Sequence, residues 1–334
     1  MLKPKTGLYG VLEKSEEGWE NSGKLIDLVK SKLSYAGMDV IAAKELVGDD
    51  GSALKAAELF KITDPDILVA VIVTWSFNHL TLTILRHITR PLAILAVPGL
   101  KTGSFVGAQQ LGCFLTDLNI EYSTFFGPPE EDSTYTPILS YAKAAGIKRN
   151  MEKGKMGQVG RRCRGMTPAS SDEIEVTSLF GPQVENFSWD EVEEIAETFK
   201  NSDIEEINKR IKSIDPKTKC TDDVISAAAK LYLALKKIIR ENNLIAISLG
   251  GYPQYAGRVC LVSSLLGDDG IVSGFCEGDM NSVIAMYLLQ EFSGQPVHFG
   301  EMLEVNEKEN SVITSHCGCC SVKLAVVLIF FYRG

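Results

Sequence analysis

The chain has 334 residues, 34 of them basic and 43 acidic, and a formal charge of −9. At roughly 150 residues per domain the length suggests two domains. With 45% hydrophobic and 23% charged residues, the composition excludes disordered, collagen-like and coiled-coil chains. The acidity argues against nucleic acid as a partner. No apolar run reaches the roughly 18 residues of a spanning helix, and residues 1–6 lead into no signal-peptide core. The expectation is a cytoplasmic protein with no membrane partner.

In chain order, residues 7–12 read as a first strand. Leu25, Ile26, Leu28, Val29 and Leu33 recur at helical spacing over residues 22–36, and Gly37 stands where a helix C-cap belongs. A strand over 38–42 and a helix over 53–60 follow. Residues 66–74 form a continuous apolar run of strand length, the pattern of a strand buried on both faces. Next come a helix over 80–87, a strand over 91–97, a helix over 106–118 and a strand over 121–126. This alternation is that of parallel βαβ units.

Pro128-Pro129-Glu130-Glu131-Asp132 is an acidic, turn-rich break. A helix over 136–145 precedes a basic stretch, and the domain boundary is placed near 148–156. A short strand over 158–162 enters a polar loop. Residues 189–200 form an amphipathic helix that Ser188 caps, with Asp190 and Glu191 in its first turn. Helices over 203–214 and 221–242, strands over 244–249 and 271–275, and a helix over 281–292 complete the pattern. The fold class is therefore α/β, with two doubly wound, Rossmann- or flavodoxin-like parallel-sheet domains at 1–150 and 151–321 and an atypical hydrophobic tail at 322–334.

Phosphate-cradling GxxxxGK[ST] and GxGxxG motifs are absent from strand ends, and GxSxG is absent altogether. The informative stretch is 270–320. Gly274-Phe275-Cys276-Glu277-Gly278-Asp279 closes a strand just before a helix, where open α/β sheets place ligands. Residues 297–299 read as a strand ending at Glu301, and 311–314 as a strand running into His316. Two carboxylates and an imidazole suit a divalent ion such as Mn²⁺ or Mg²⁺. Equally, Glu277 and Asp279 could cap the next helix, Glu301 could be a surface residue and His316 a polar turn residue.

Eight cysteines are present, three of them at Cys317, Cys319 and Cys320. Without a secretion signal they read as reduced thiols rather than a disulfide framework. The 317–320 cluster with His316 offers a zinc or redox alternative, but no second Cys pair lies nearby; buried thiols in a tight turn are the simpler reading.

The segment from Cys276-Glu277-Gly278-Asp279 to Met286, then Phe292-Ser293-Gly294-Gln295-Pro296, Glu301 and Ser315-His316-Cys317-Gly318, resembles the L-fucose isomerase/L-arabinose isomerase superfamily. Val73-Thr74-Trp75, Arg90-Pro91-Leu92, Gly107-Ala108-Gln109 and Gly160-Arg161-Arg162 fit more diffusely. The resemblance implies an aldose–ketose isomerase that uses Mn²⁺ or another divalent cation and no organic cofactor. It implies that Glu277 and Glu301 are ligands and the acid/base pair, and that His316 is a further ligand. The chemistry agrees: an enediol route moves a proton between C1 and C2, which needs a carboxylate base, and a divalent ion stabilises the enediolate. Asp279 is expected to support the ligands or cap the helix. Trp75, Asn78, Gln109 and Arg161 are candidate sugar contacts, the loop of Trp75, Asn78 and His79 reaching sugar across a subunit boundary, with a packed loop or solvated turn as the alternative.

The resemblance also implies a homo-oligomer, trimer or hexamer, with a monosaccharide substrate; which sugar is not legible, since fucose, arabinose and a hexose bearing an anionic group would all suit a pocket whose walls the sequence does not identify. Two departures stand out. The superfamily's C-terminal β domain, which supplies another His, is missing before Gly334, and residues 322–332 do not continue its pattern. A non-catalytic sugar- or metal-binding module derived from the same family is the alternative function.

Overall fold

The computed structural model describes residues 2–216, 218–257, 259–316 and 321–324. The chain folds as two compact units, Leu2–Arg149 and a second from Asn150 onward. The α/β class and the two Rossmann-like parallel sheets match the sequence reading.

The first unit runs β1 (Lys5–Val11), α1 (Ser22–Tyr35), β2 (Asp39–Ala42), α2 (Asp50–Thr63), β3 (Ile67–Ile72), α3 (Asn78–His87), β4 (Leu92–Ala96), α4 (Ser104–Asp117), β5 (Tyr122–Phe126) and α5 (Thr136–Lys153). Its five strands are parallel in the order β2-β1-β3-β4-β5. Every residue of β3 and β4 is buried. Alternate residues feed the two faces: Leu68, Ala70 and Ile72 pack with Phe60 and Leu80, while Ile67, Val69 and Val71 pack with Val29 and Ile138. That is why β3 reads as an unbroken apolar run. Asp64, in the left-handed conformation that ends α2 (φ 51°), takes the guanidinium of Arg149 at 2.7 Å and that of Arg90 at 2.5 Å.

One expectation needs correction here. The helix expected over 136–145 runs on through the basic stretch to Lys153, because Ile147 and Met151 bury and Arg149 finds Asp64.

The second unit runs β6 (Lys155–Gly160), α6 (Glu173–Phe180), β7 (Gln183–Phe187), α7 (Trp189–Glu197), α8 (Asn201–Ile214), α9 (Asp222–Glu241), β8 (Leu244–Gly250), α10 (Cys260–Asp268), β9 (Val272–Cys276), α11 (Met280–Ser293), β10 (Glu301–Asn306) and β11 (Ser311–Ser315). Strands β7-β6-β8-β9 form a parallel sheet. Helices α7 to α10 bury one face around Val159, Ile247, Leu249 and Phe275, and α11 lies against β8 and β9. Ser188 closes a capping box with Glu191, the local reason α7 starts where it does. The strand order reverses between β6 and β8, which makes their carboxyl ends the topological switch point.

Two further expectations change. Residues 297–299 are not a strand. The strand begins at Glu301 and pairs antiparallel with β11 in a two-stranded hairpin outside the parallel sheet. Gly300 is what allows this: the His298 ring folds back to 2.4 Å from where a Gly300 Cβ would sit, so the chain bends there instead of extending. Glu301 therefore opens a strand rather than closing one. Val322–Leu324 forms a short 3-10 turn; the rest of the hydrophobic tail, from 325 on, lies outside the described residues, as does the cysteine cluster at 317–320. No described helix is long and apolar enough to cross a membrane.

Candidate active site

The second unit stitches three loops together at the carboxyl ends of β6, β8 and β9. The amide of Cys163 donates to the carbonyl of Glu277 at 2.8 Å, and the amide of Gly251 to the carbonyl of Cys276 at 3.1 Å. The Phe275–Cys276 peptide is cis. Trp189 donates through Nε1 to the carbonyl of Gly250 at 2.8 Å, and Tyr255 stacks on its ring at 4.1 Å. The loop after β6 is pressed so tightly onto this junction that a Cβ at Gly250 would lie 2.2 Å from the Arg161 carbonyl oxygen, and one at Gly278 3.1 Å from the same residue. Gly250 has no room for a side chain, and at Gly278 one would be tight on a left-handed backbone (φ 71°).

Glu277 projects from this junction. The open end of the hairpin brings the other two groups to it: Glu301 pairs in register with Ser315, so His316 follows directly. One ligand atom from each of Glu277, Glu301 and His316 lies within 4.8 Å of the others. His316 Nε2 is 3.4 Å from Glu277 Oε1, and these side chains are only 2% and 13% exposed. The Phe299 ring packs on the imidazole at 5.1 Å. The other Glu277 oxygen accepts from the Cys276 amide at 2.7 Å.

The electrostatics follow from that geometry. Burial pushes the Glu277 carboxyl up, but the His316 ring and the Cys276 amide outweigh it and hold the group below its ordinary value. The Glu277 carboxylate raises His316 against the opposing effect of burial, and Glu301 adds to the rise. Two carboxylates and one imidazole converging without a lysine or arginine among them form an oxygen-rich donor set that fits a hard or borderline divalent cation.

The other candidate residues fall in different places. Asp279 is the N-cap of α11: its carboxylate accepts from the Ser282 amide at 3.1 Å and from the Ser282 hydroxyl at 2.6 Å. Arg161 is exposed on the loop that binds the Glu277 backbone. Trp75, Asn78 and Gln109 belong to the first unit. There Trp75 Nε1 donates to Gln110 at 2.9 Å, and the Gln110 amide donates to Asn78 at 3.2 Å. Gln110 is thus the amide tied into that cluster, while Gln109 is exposed beside it. Sequence reasoning also passed over His298, whose imidazole is pushed below its ordinary value by burial and by His316. Its only signal was proximity in sequence to Glu301. Gln158 Nε2 and Ser248 Oγ, on paired positions of β6 and β8, are buried with no hydrogen-bond partner among the described residues.

No protein-family model matches the chain. It is 25% identical over 229 residues to a sulfoquinovose isomerase of Clostridium sp. (strain MSTE9), an alignment covering 67% of this chain and 50% of that protein. It is 22% identical over 298 residues to a sulfoquinovose isomerase of Priestia aryabhattai, covering 86% of this chain and 66% of the relative. The chain therefore spans about half to two thirds of the length of the curated relatives it matches. Among solved structures, a galactofuranose binding protein aligns over 88% of this chain and 91% of its own, with 11% identity and a TM-score of 0.24.

Proposed function

We propose that this chain is an aldose–ketose isomerase that works through an enediol, with Glu277, Glu301 and His316 as its centre. The observation that carries this reading is the convergence of those three side chains, from the end of a parallel strand and the open end of a hairpin, to within 4.8 Å. The relatives' name adds the substrate: sulfoquinovose takes the place of fucose or arabinose.

The three residues would together hold a divalent cation, with Mn²⁺ proposed. When bound it would polarise the sugar's carbonyl and hydroxyl oxygens and stabilise negative charge on them. The acid–base work falls to the carboxylates. Glu277, kept ionised by its hydrogen bonds, takes the proton from C2 and returns it to C1. Glu301, exposed at the start of β10, passes the hydroxyl proton between O1 and O2. Asp279, bonded to Ser282 at the head of α11, fixes the turn that carries Glu277. No organic cofactor takes part. A homo-oligomer in the cytoplasm, with Trp75, Asn78 and Gln109 as sugar contacts, belongs to the same proposal through the resemblance to the fucose/arabinose isomerase superfamily.

The test is ketose formation from sulfoquinovose by the full chain with added Mn²⁺, with Glu277→Gln in parallel. Turnover lost in the variant supports the reading. Sugar-dependent thermal stabilisation without turnover, about 2.7 kcal/mol at a ligand concentration 100-fold above Kd, would identify a binding module instead.

A further inference from the structure

We infer that Arg161, Arg162 and Arg164 form the subsite that selects a sugar carrying a tetrahedral oxyanion group, a sulfonate or a phosphate ester, and holds that group while the other end of the sugar meets the carboxylates. The inference rests on the isomerase reading for the identity of the sugar, and on the loop itself for the anion.

Three observations carry it. The first is position. The loop leaves β6 at the switch point of the second sheet, beside the end of β8, where open α/β sheets take their ligands. It is bonded directly to the residue that carries the chemistry, through the Cys163 amide and the Glu277 carbonyl at 2.8 Å.

The second is charge. The protein has 43 acidic against 34 basic residues, and several of its arginines are held by carboxylates. Arg149 and Arg90 hold Asp64, and Arg210 holds Asp269 at 2.9 Å. None of Arg161, Arg162 and Arg164 has a carboxylate partner among the described residues. Arg162 donates only to the carbonyl of Cys163, within its own loop, at 3.2 Å. Arg161 and Arg164 are exposed. Three arginines within four residues concentrate positive charge on one loop, and an anion offsets it. The planar fork of each matches two oxygens of a sulfonate or phosphate.

The third is rigidity. The Arg161 backbone is wedged against Gly250 and Gly278, at positions where a Cβ would lie 2.2 Å and 3.1 Å from the Arg161 carbonyl oxygen. A loop fixed this closely to the residue after Glu277 holds its cations at a set place relative to the reacting end, so less of the binding energy is lost to ordering.

The experiment is isothermal titration of the full chain, in Mn²⁺, with three sugars: sulfoquinovose, glucose 6-phosphate and glucose. The wild type is expected to bind an anionic sugar more tightly than glucose. Arg161→Ala and Arg164→Ala are each expected to weaken binding of that anionic sugar about ten- to a hundredfold, and the double variant to bring the ratio to glucose near one. Arg161→Lys, which keeps the charge and loses the fork, falls between. A loop with a purely structural role would weaken all three sugars together and leave the ratio alone. Preference for sulfoquinovose over glucose 6-phosphate assigns the subsite to a sulfonate, and the reverse assigns it to a phosphate ester. Glucose bound as tightly as both anionic sugars, or a ratio unchanged in the double variant, overturns the inference. Turnover is scored separately: arginine-dependent binding of an anionic sugar without ketose formation sustains the subsite and removes the isomerase reading.

Discussion

His316 Nε2 lies 3.4 Å from Glu277 Oε1, and that contact joins the last turn of a parallel sheet to the open end of an exposed antiparallel hairpin. The strands of the hairpin are solvent-exposed along nearly their whole length, so the end that carries Glu301 and His316 is held where its side chains meet the sheet. His316→Ala is expected to weaken Mn²⁺ binding by at least the ten- to hundredfold that loss of a hydrogen bond behind a ligand costs. Titration of the metal-free protein checks it; an unchanged affinity would exclude His316 from the cation site.

Gly250→Ala tests the junction. The added methyl meets the Arg161 carbonyl oxygen at 2.2 Å, and that oxygen belongs to a loop pinned by Cys163 to Glu277. Overpacking of this kind costs about 1–3 kcal/mol. Chemical denaturation should show that loss, and the displaced loop should weaken binding of anionic sugars beyond what the lost stability explains.

Asp279→Ala removes the N-cap of α11. Losing the bonds to Ser282 should lower stability by about 1 kcal/mol, read from the denaturation midpoint. Asp279→Asn, which still accepts the amide bond, should recover most of it.

In the first unit, Arg149 and then Arg90 hold the Asp64 carboxyl well below the usual carboxylate range. A carboxyl lowered on folding contributes stability that is fully present above its unfolded value, about 3.9. That stability is lost as the pH falls from there through the folded-state value. Asp64→Asn, which keeps the left-handed backbone tolerable, should therefore lower the melting temperature at pH 7. The gap to wild type should close as the pH falls from about 4 toward 2. A gap independent of pH would show that the carboxylate charge contributes nothing.

Much of this architecture is legible in the chain because burial writes it there. β3 and β4 are covered on both faces, so they appear as unbroken apolar runs. Glu277 is legible because it follows a strand and precedes a helix. What is illegible is tertiary. Val297-His298-Phe299 has the composition of a strand, yet the pairing partner Ser311–Ser315 selects Glu301–Asn306 instead. The helix α10 and the pair α6 and β7 are short, and no long period marks them. Gln109 and Gln110 are neighbours on one helix, about 100° apart, and only the position of Trp75 decides which of them is engaged. Arg161 reads in sequence as a sugar contact or a solvated turn alike; only the fold shows that its loop is bonded, through Cys163, to Glu277, far apart in sequence.

Glu277, Glu301 and His316 are proposed to hold one divalent cation where the sugar is isomerised. The most direct measurement is the stoichiometry of Mn²⁺ bound by the metal-free full chain, from electron paramagnetic resonance of free Mn²⁺, in wild type, Glu277→Gln and Glu301→Gln. One equivalent is expected to bind to the wild type, with an affinity at least a hundredfold lower in each variant. Wild-type protein that binds no Mn²⁺, or variants that bind it as tightly as wild type, would contradict the claim.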